Sequence, residues 1–66
     1  MNLQEAKNLQ YGEHIIHIET NRRFKVNGKP KTWKRNLERV LIPVKYGLYV
    51  YGYFDETEIE QLVKEW

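Results

Sequence analysis

The sequence predicts a mainly β protein with a C-terminal α-helix: a small antiparallel sheet or SH3-like barrel of about five strands. Three observations carry this. Short runs rich in β-branched and aromatic residues lie between 13 and 54. Gly and Asn punctuate those runs at turn spacing. The last eleven residues switch to a helical period. A chain of 66 residues buries only about 60% of its unfolded surface, so residues 1–66 are read as one small domain. Within it, 13–54 form the sheet or barrel and 56–66 the helix. An OB-like barrel needs five longer strands, which strains this length.

Taken in order, residues 2–10 read as a short helical turn with Asn2 as N-cap, Leu3 and Ala6 on one face, and Gly12 as the stop. Residues 13–19 read as a strand carrying Ile15, Ile16 and Ile18, and Thr20-Asn21 as a turn. Residues 22–35 carry Asn27-Gly28 between extended runs, the signal for a two-residue type I′ hairpin. In that register Val26 faces Lys29, Phe24 faces Lys31 and Arg22 faces Trp33. Pro30 then lies beside Lys25 and marks a sheet edge.

Residues 39–54 read as a second hairpin with a three-residue loop, Lys45-Tyr46-Gly47, and Gly47 in the left-handed position. This pairs Val44 with Leu48 and Ile42 with Val50. Arg39, Leu41, Pro43, Tyr49, Tyr51 and Tyr53 fall on the reverse face. In 56–66, Ile59, Leu62, Val63 and Trp66 stand at i, i+3, i+4 and i+7. Asp55 or Thr57 can cap this helix, acids crowd its first turn, and Glu60 can pair with Lys64.

The chain contains no Cys and no Ser. That removes disulfides, thiolate metal sites and the commonest nucleophiles. Thr20, Thr32 and Thr57 lie in no catalytic motif. His14 and His17 are three apart on a strand and so point to opposite faces, which argues against a shared metal. The sole Asp, Asp55, stands where a cap is expected. No enzyme activity, metal or cofactor is therefore expected. No apolar run is long enough for a transmembrane helix or a signal-peptide core, so the expected location is cytoplasmic.

The net charge of +2 hides a segregation. Residues 1–21 carry −2, residues 22–45 carry +8 and residues 46–66 carry −4. The middle block holds Arg22, Arg23, Lys25, Lys29, Lys31, Lys34, Arg35, Arg39 and Lys45 against Glu38 alone. Such density attracts phosphate. The plainer reading is edge-strand lysines that block aggregation, for which one or two suffice. Tyr49, Tyr51 and Tyr53 form a row beside Arg39 and Pro43. Two readings of that row compete: a platform for stacking bases, or the surface on which the C-terminal helix docks. Trp33 likewise reads as stacking platform or core.

The stretch Asn27-Gly28-Lys29-Pro30-Lys31-Thr32-Trp33-Lys34-Arg35, followed by Ile42-Pro43-Val44-Lys45-Tyr46-Gly47-Leu48-Tyr49, resembles small uncharacterised phage-type proteins. It covers about residues 22–54 and implies an accessory or host-interaction role, with no functional residues to carry over. The layout is also similar to the archaeal chromatin proteins of the Sul7d type, small basic SH3-like barrels. There Trp33 and the 22–35 hairpin would be the counterparts. The acidic C-terminal third departs from that pattern.

Two functions follow. The first is a nucleic-acid-binding module for DNA or RNA. In it Arg22, Arg23, Lys25, Lys29, Lys31, Lys34, Arg35, Arg39 and Lys45 meet phosphates, and Trp33, Tyr49, Tyr51 and Tyr53 meet bases. The alternative is a protein-interaction or inhibitor module that binds an acidic partner surface or takes a strand at the sheet edge. The charge split also allows a homo-oligomer.

Overall fold

A computed structural model of the chain describes residues 1–65. A short helix α1 (Leu3–Lys7) precedes strands β1 (His14–His17), β2 (Arg22–Val26), β3 (Lys31–Trp33), β4 (Asn36–Tyr46) and β5 (Val50–Asp55). A 3-10 turn (Ile59–Gln61) and strand β6 (Leu62–Lys64) follow. The strands form one antiparallel sheet in the order β3-β4-β2-β1-β6, with β5 also paired to β4. The sheet curls into a half-barrel.

Strand β4 is the spine, because three other strands pair with it. Its alternation is the one read from the sequence: Val40, Ile42 and Val44 are buried, while Arg39, Leu41, Pro43 and Lys45 face outward. The inner residues pack with Ile15, Val26 and Phe54, and with Ala6 and Leu9 from the N-terminal segment. Each of the Val, Ile, Leu and Phe side chains contributes roughly 1.5–3 kcal/mol by leaving water, and the Ala6 methyl less. Helix α1 starts as its sequence indicates. Asn2 caps it, and Asn2 and Glu5 satisfy each other's backbone N–H groups in a capping box.

Several expectations are corrected. Asn27-Gly28 is not a two-residue hairpin. A type I′ turn needs positive φ at both residues, and neither has it. Strand β2 pairs instead with β1 and with β4. The local hairpin would set Val26 against Lys29. The long-range pairing sets Val26 against Val44, both buried, and that apolar gain decides the outcome. Glu13 O then accepts from the Val26 N–H at 2.8 Å, and Pro43 O accepts from the Asn27 N–H at 2.8 Å. Pro30 is buried in the connecting loop rather than placed beside Lys25.

The two-residue hairpin of this region is Lys34-Arg35, between β3 and β4. Residues 22–35 therefore do not form one basic hairpin, and Arg22 does not face Trp33.

The C-terminal segment is not a helix. Its cap signals close a turn: Asp55 Oδ1 accepts from the Thr57 N–H at 2.9 Å and from the Thr57 hydroxyl at 2.5 Å. These two donors hold the Asp55 carboxyl below its ordinary pKa. The chain then extends as β6, with His17 opposite Leu62 and Ile15 opposite Lys64. Leu62 is fully buried and Val63 is 42% exposed, a strand alternation rather than a shared helical face. An isolated eleven-residue helix is marginal, whereas β1 has an edge whose backbone groups need partners. The expected Glu60–Lys64 pair is replaced by Lys64 Nζ to Glu13 Oε2 at 2.6 Å. Trp66, the last apolar position of the expected helix, lies outside the described residues.

The β4–β5 hairpin keeps its three-residue loop but shifts it to 47–49. Ile42 pairs with Phe54, Val44 with Gly52 and Tyr46 with Val50. The slip is even, so no residue that stays in the ladder changes face, while Leu48, expected opposite Val44, and Tyr49 move into the exposed loop. It brings Phe54 into the core and leaves Val50 61% exposed. Gly47 has the expected left-handed backbone at φ 70°. No helix among the described residues is long and apolar enough to cross a membrane.

Candidate nucleic-acid interface

Ladder register places the predicted side chains. On the outer face, His14 of β1 stands opposite Lys25 of β2, Lys25 opposite Lys45 of β4, and Lys45 opposite Tyr51 of β5. Four strands thus present one cross-strand row. Two residues along β4, Pro43 faces Tyr53, and two further, Leu41 stands between Lys31 and Asp55. Arg39 ends this series. The outward residues from Arg39 to Lys45 span about 20 Å at about 3.3 Å per residue.

Rings and cations interleave along this stripe. The Arg39 guanidinium lies 4.1 Å from the centre of the Trp33 ring, and Lys31 Nζ lies 5.3 Å from it. Lys45 Nζ lies 5.5 Å from the Tyr51 ring centre. These are cation–π distances, and they hold charged heads beside ring surfaces without neutralising them. Tyr51 and Tyr53 are 61% and 65% exposed. With no C-terminal helix on this face, the docking reading of the row falls. Trp33 is half-buried on the outer face and lies outside the core cluster.

The other predicted residues are dispersed. Tyr49 sits in the 47–49 loop, 86% exposed. Lys34 and Arg35 form the exposed β3–β4 turn, and Lys29 is exposed in the loop before β3. Arg22 has the inner parity of β2 and lies over the Tyr46 ring at 5.6 Å, away from the stripe. Arg23 is outward but already paired: Glu65 Oε1 accepts from its Nε at 2.7 Å and lies 2.7 Å from its Nη2. Arg39 has a weaker partner in Glu56 at 4.0 Å. The cations therefore cluster towards the two ends of the stripe, Lys25 and Lys45 at one and Lys31 and Arg39 at the other, with Leu41, Pro43 and Tyr53 between them and Asp55 beside Leu41.

Two participants were missed from the sequence. His14 joins the outer row, and Tyr11 lies beneath Lys25 Nζ at 5.1 Å from its ring centre. The β1–β2 register reveals the first, and the cation–π contact of Lys25 with the segment before β1 the second. His17, three residues from His14, faces inward with its ring 6.0 Å from that of Phe54, so the two imidazoles do not converge.

Comparison with protein-family models, with curated proteins and with solved structures finds no match.

Proposed function

We propose that this chain is a small nucleic-acid-binding module, with an SH3-like barrel as its frame, that holds a single strand along the outer sheet face. The supporting observation is the stripe itself. Trp33, Tyr51 and Tyr53 offer ring faces, and Lys25, Lys31, Arg39 and Lys45 stand beside them on the same face. Base stacking on exposed rings with cations tracking the backbone is how sequence-tolerant single-strand binders work. The basic hairpin expected from the sequence gives way to a basic, aromatic sheet face, with Lys34 and Arg35 at its Trp33 end.

Titration of labelled single-stranded DNA, single-stranded RNA and duplex DNA by fluorescence anisotropy at low salt tests the proposal. Preferential binding to a single strand is expected, weakening with salt by a log–log slope of about −0.7 per phosphate neutralised. Absence of binding to all three probes overturns it.

A second reading, strand addition by a protein partner, has one observation in its favour. Among the described residues strand β5 pairs with β4 alone, and an apolar groove of about 160 Å³, whose lining includes Phe24, Tyr46, Val50 and Phe54 together with Tyr51 and Tyr53, opens beside it. A partner using that edge would protect the β5 amides from hydrogen exchange and leave the Trp33 signals unmoved.

A further inference from the structure

We infer that the outer depression between β1, β2 and β4 is a phosphate-binding pocket. It is lined by His14, Arg23, Lys25, Lys45 and Gly47 and has a volume of about 230 Å³. A water takes up about 30 Å³ of liquid, so the space holds a phosphate with part of its hydration. Among the described residues, no carboxylate belongs to the lining. Among the described residues, no acid lies within ion-pair distance of Lys25 or Lys45. Each ammonium instead leans on a tyrosine ring, Tyr11 for Lys25 and Tyr51 for Lys45.

The register makes this unusual. Lys25 and Lys45 are direct cross-strand partners, and like charges directly opposite destabilise a sheet. Charge scatter for solubility would not align them. An anion between them reverses the sign of that interaction, and an oxyanion matches the donors on offer: two ammonium groups, a guanidinium and an imidazole. Glu65 holds Arg23 at the rim, so it competes with an incoming anion for that guanidinium.

The inference rests on the nucleic-acid reading for the phosphate's carrier. Because Lys45 is opposite Tyr51 and Tyr53 is next along the same face, a backbone phosphate seated here leaves its bases at those rings.

The test is a calorimetric titration with sodium tripolyphosphate at fixed low ionic strength, alongside an anisotropy titration with a labelled oligothymidine. Saturable tripolyphosphate binding is expected. It weakens about tenfold in each of Lys25→Gln and Lys45→Gln and strengthens in Glu65→Gln. Circular dichroism melts confirm that the lysine variants remain folded, as loss of a repulsion predicts. Non-saturable heats, or equal affinity in the wild type and the Lys25→Gln/Lys45→Gln double variant, overturn the pocket. If that happens while oligothymidine still binds, the pocket falls and the nucleic-acid reading stands. If tripolyphosphate binds as expected and oligothymidine does not, the pocket stands and its carrier is another phosphorylated species.

Discussion

The Arg39 guanidinium lies over the Trp33 ring, 4.1 Å from its centre, on the face of the sheet opposite the core. A ring held this way is pre-oriented, with Lys31 Nζ also over it at 5.3 Å from its centre, so a stacking base takes the place of one of these cations. Stacking of one base on such a ring is worth about 1–3 kcal/mol. Trp33→Ala should therefore weaken single-strand binding about tenfold or more, whereas Trp33→Phe keeps part of the affinity. Anisotropy titrations of both variants check this, and unchanged affinity in Trp33→Ala removes Trp33 from the interface.

Lys45 makes a different contribution, because its repulsion with Lys25 is present before anything binds. Lys45→Thr should raise stability by roughly 0.2–1 kcal/mol in low salt. The gain should fade as salt screens the pair. The same variant should make the salt slope of oligonucleotide binding shallower by about 0.7. Melts and titrations at two salt concentrations measure both. A variant that is less stable in low salt contradicts the like-charge reading.

The two faces of β6 give a third prediction. Leu62 is fully buried and Val63 is 42% exposed. Leu62→Ala should cost about 2–5 kcal/mol, as in other buried truncations, and Val63→Ala less than about 1 kcal/mol. Urea unfolding separates them. Equal, large losses would fit a helix with both residues on its buried face.

Glu13 gives a pH dependence. Its hydrogen bond with the Lys64 ammonium, helped by the Gln10 backbone N–H, holds its carboxyl below the ordinary value. A carboxyl with a lowered folded pKa stabilises the fold above its unfolded pKa. That contribution is lost as pH falls through the folded value. Glu13→Gln should therefore be slightly less stable than wild type at pH 7, by under about 1 kcal/mol for a partly exposed pair. The difference should close in acid, below the carboxylate range. Denaturation midpoints at neutral and acid pH check the sign.

How much of this was legible follows from the range of each interaction. The inward set Val40, Ile42 and Val44, the left-handed backbone at Gly47 and the Asn2 cap are written in residues close in sequence, and each was readable, whereas the loop around Gly47 was placed two residues early. Tyr51 and Tyr53 were placed on the correct face because an even slip of register preserves parity. The pairing of β2 with β4 was not readable. Asn27-Gly28 is a strong local signal, and only the tertiary match of Val26 with Val44 overrides it. The end of the chain failed for another reason. Ile59, Leu62 and Val63 fit a helical period, and three strand residues are too few to show a period of two. For the site, the ingredients were visible and their arrangement was not. The row His14–Lys25–Lys45–Tyr51 exists only once three ladder registers are known.

The most direct measurement is an amide chemical-shift map of the isotope-labelled protein titrated with a short oligothymidine at low salt. Binding along the outer face should move Lys25, Lys31, Trp33, Lys45, Tyr51 and Tyr53 together, including the Trp33 indole N–H, and leave the α1 amides still. Shifts confined to the β5 edge and its apolar groove, or to the acidic turn around Glu58, would contradict it.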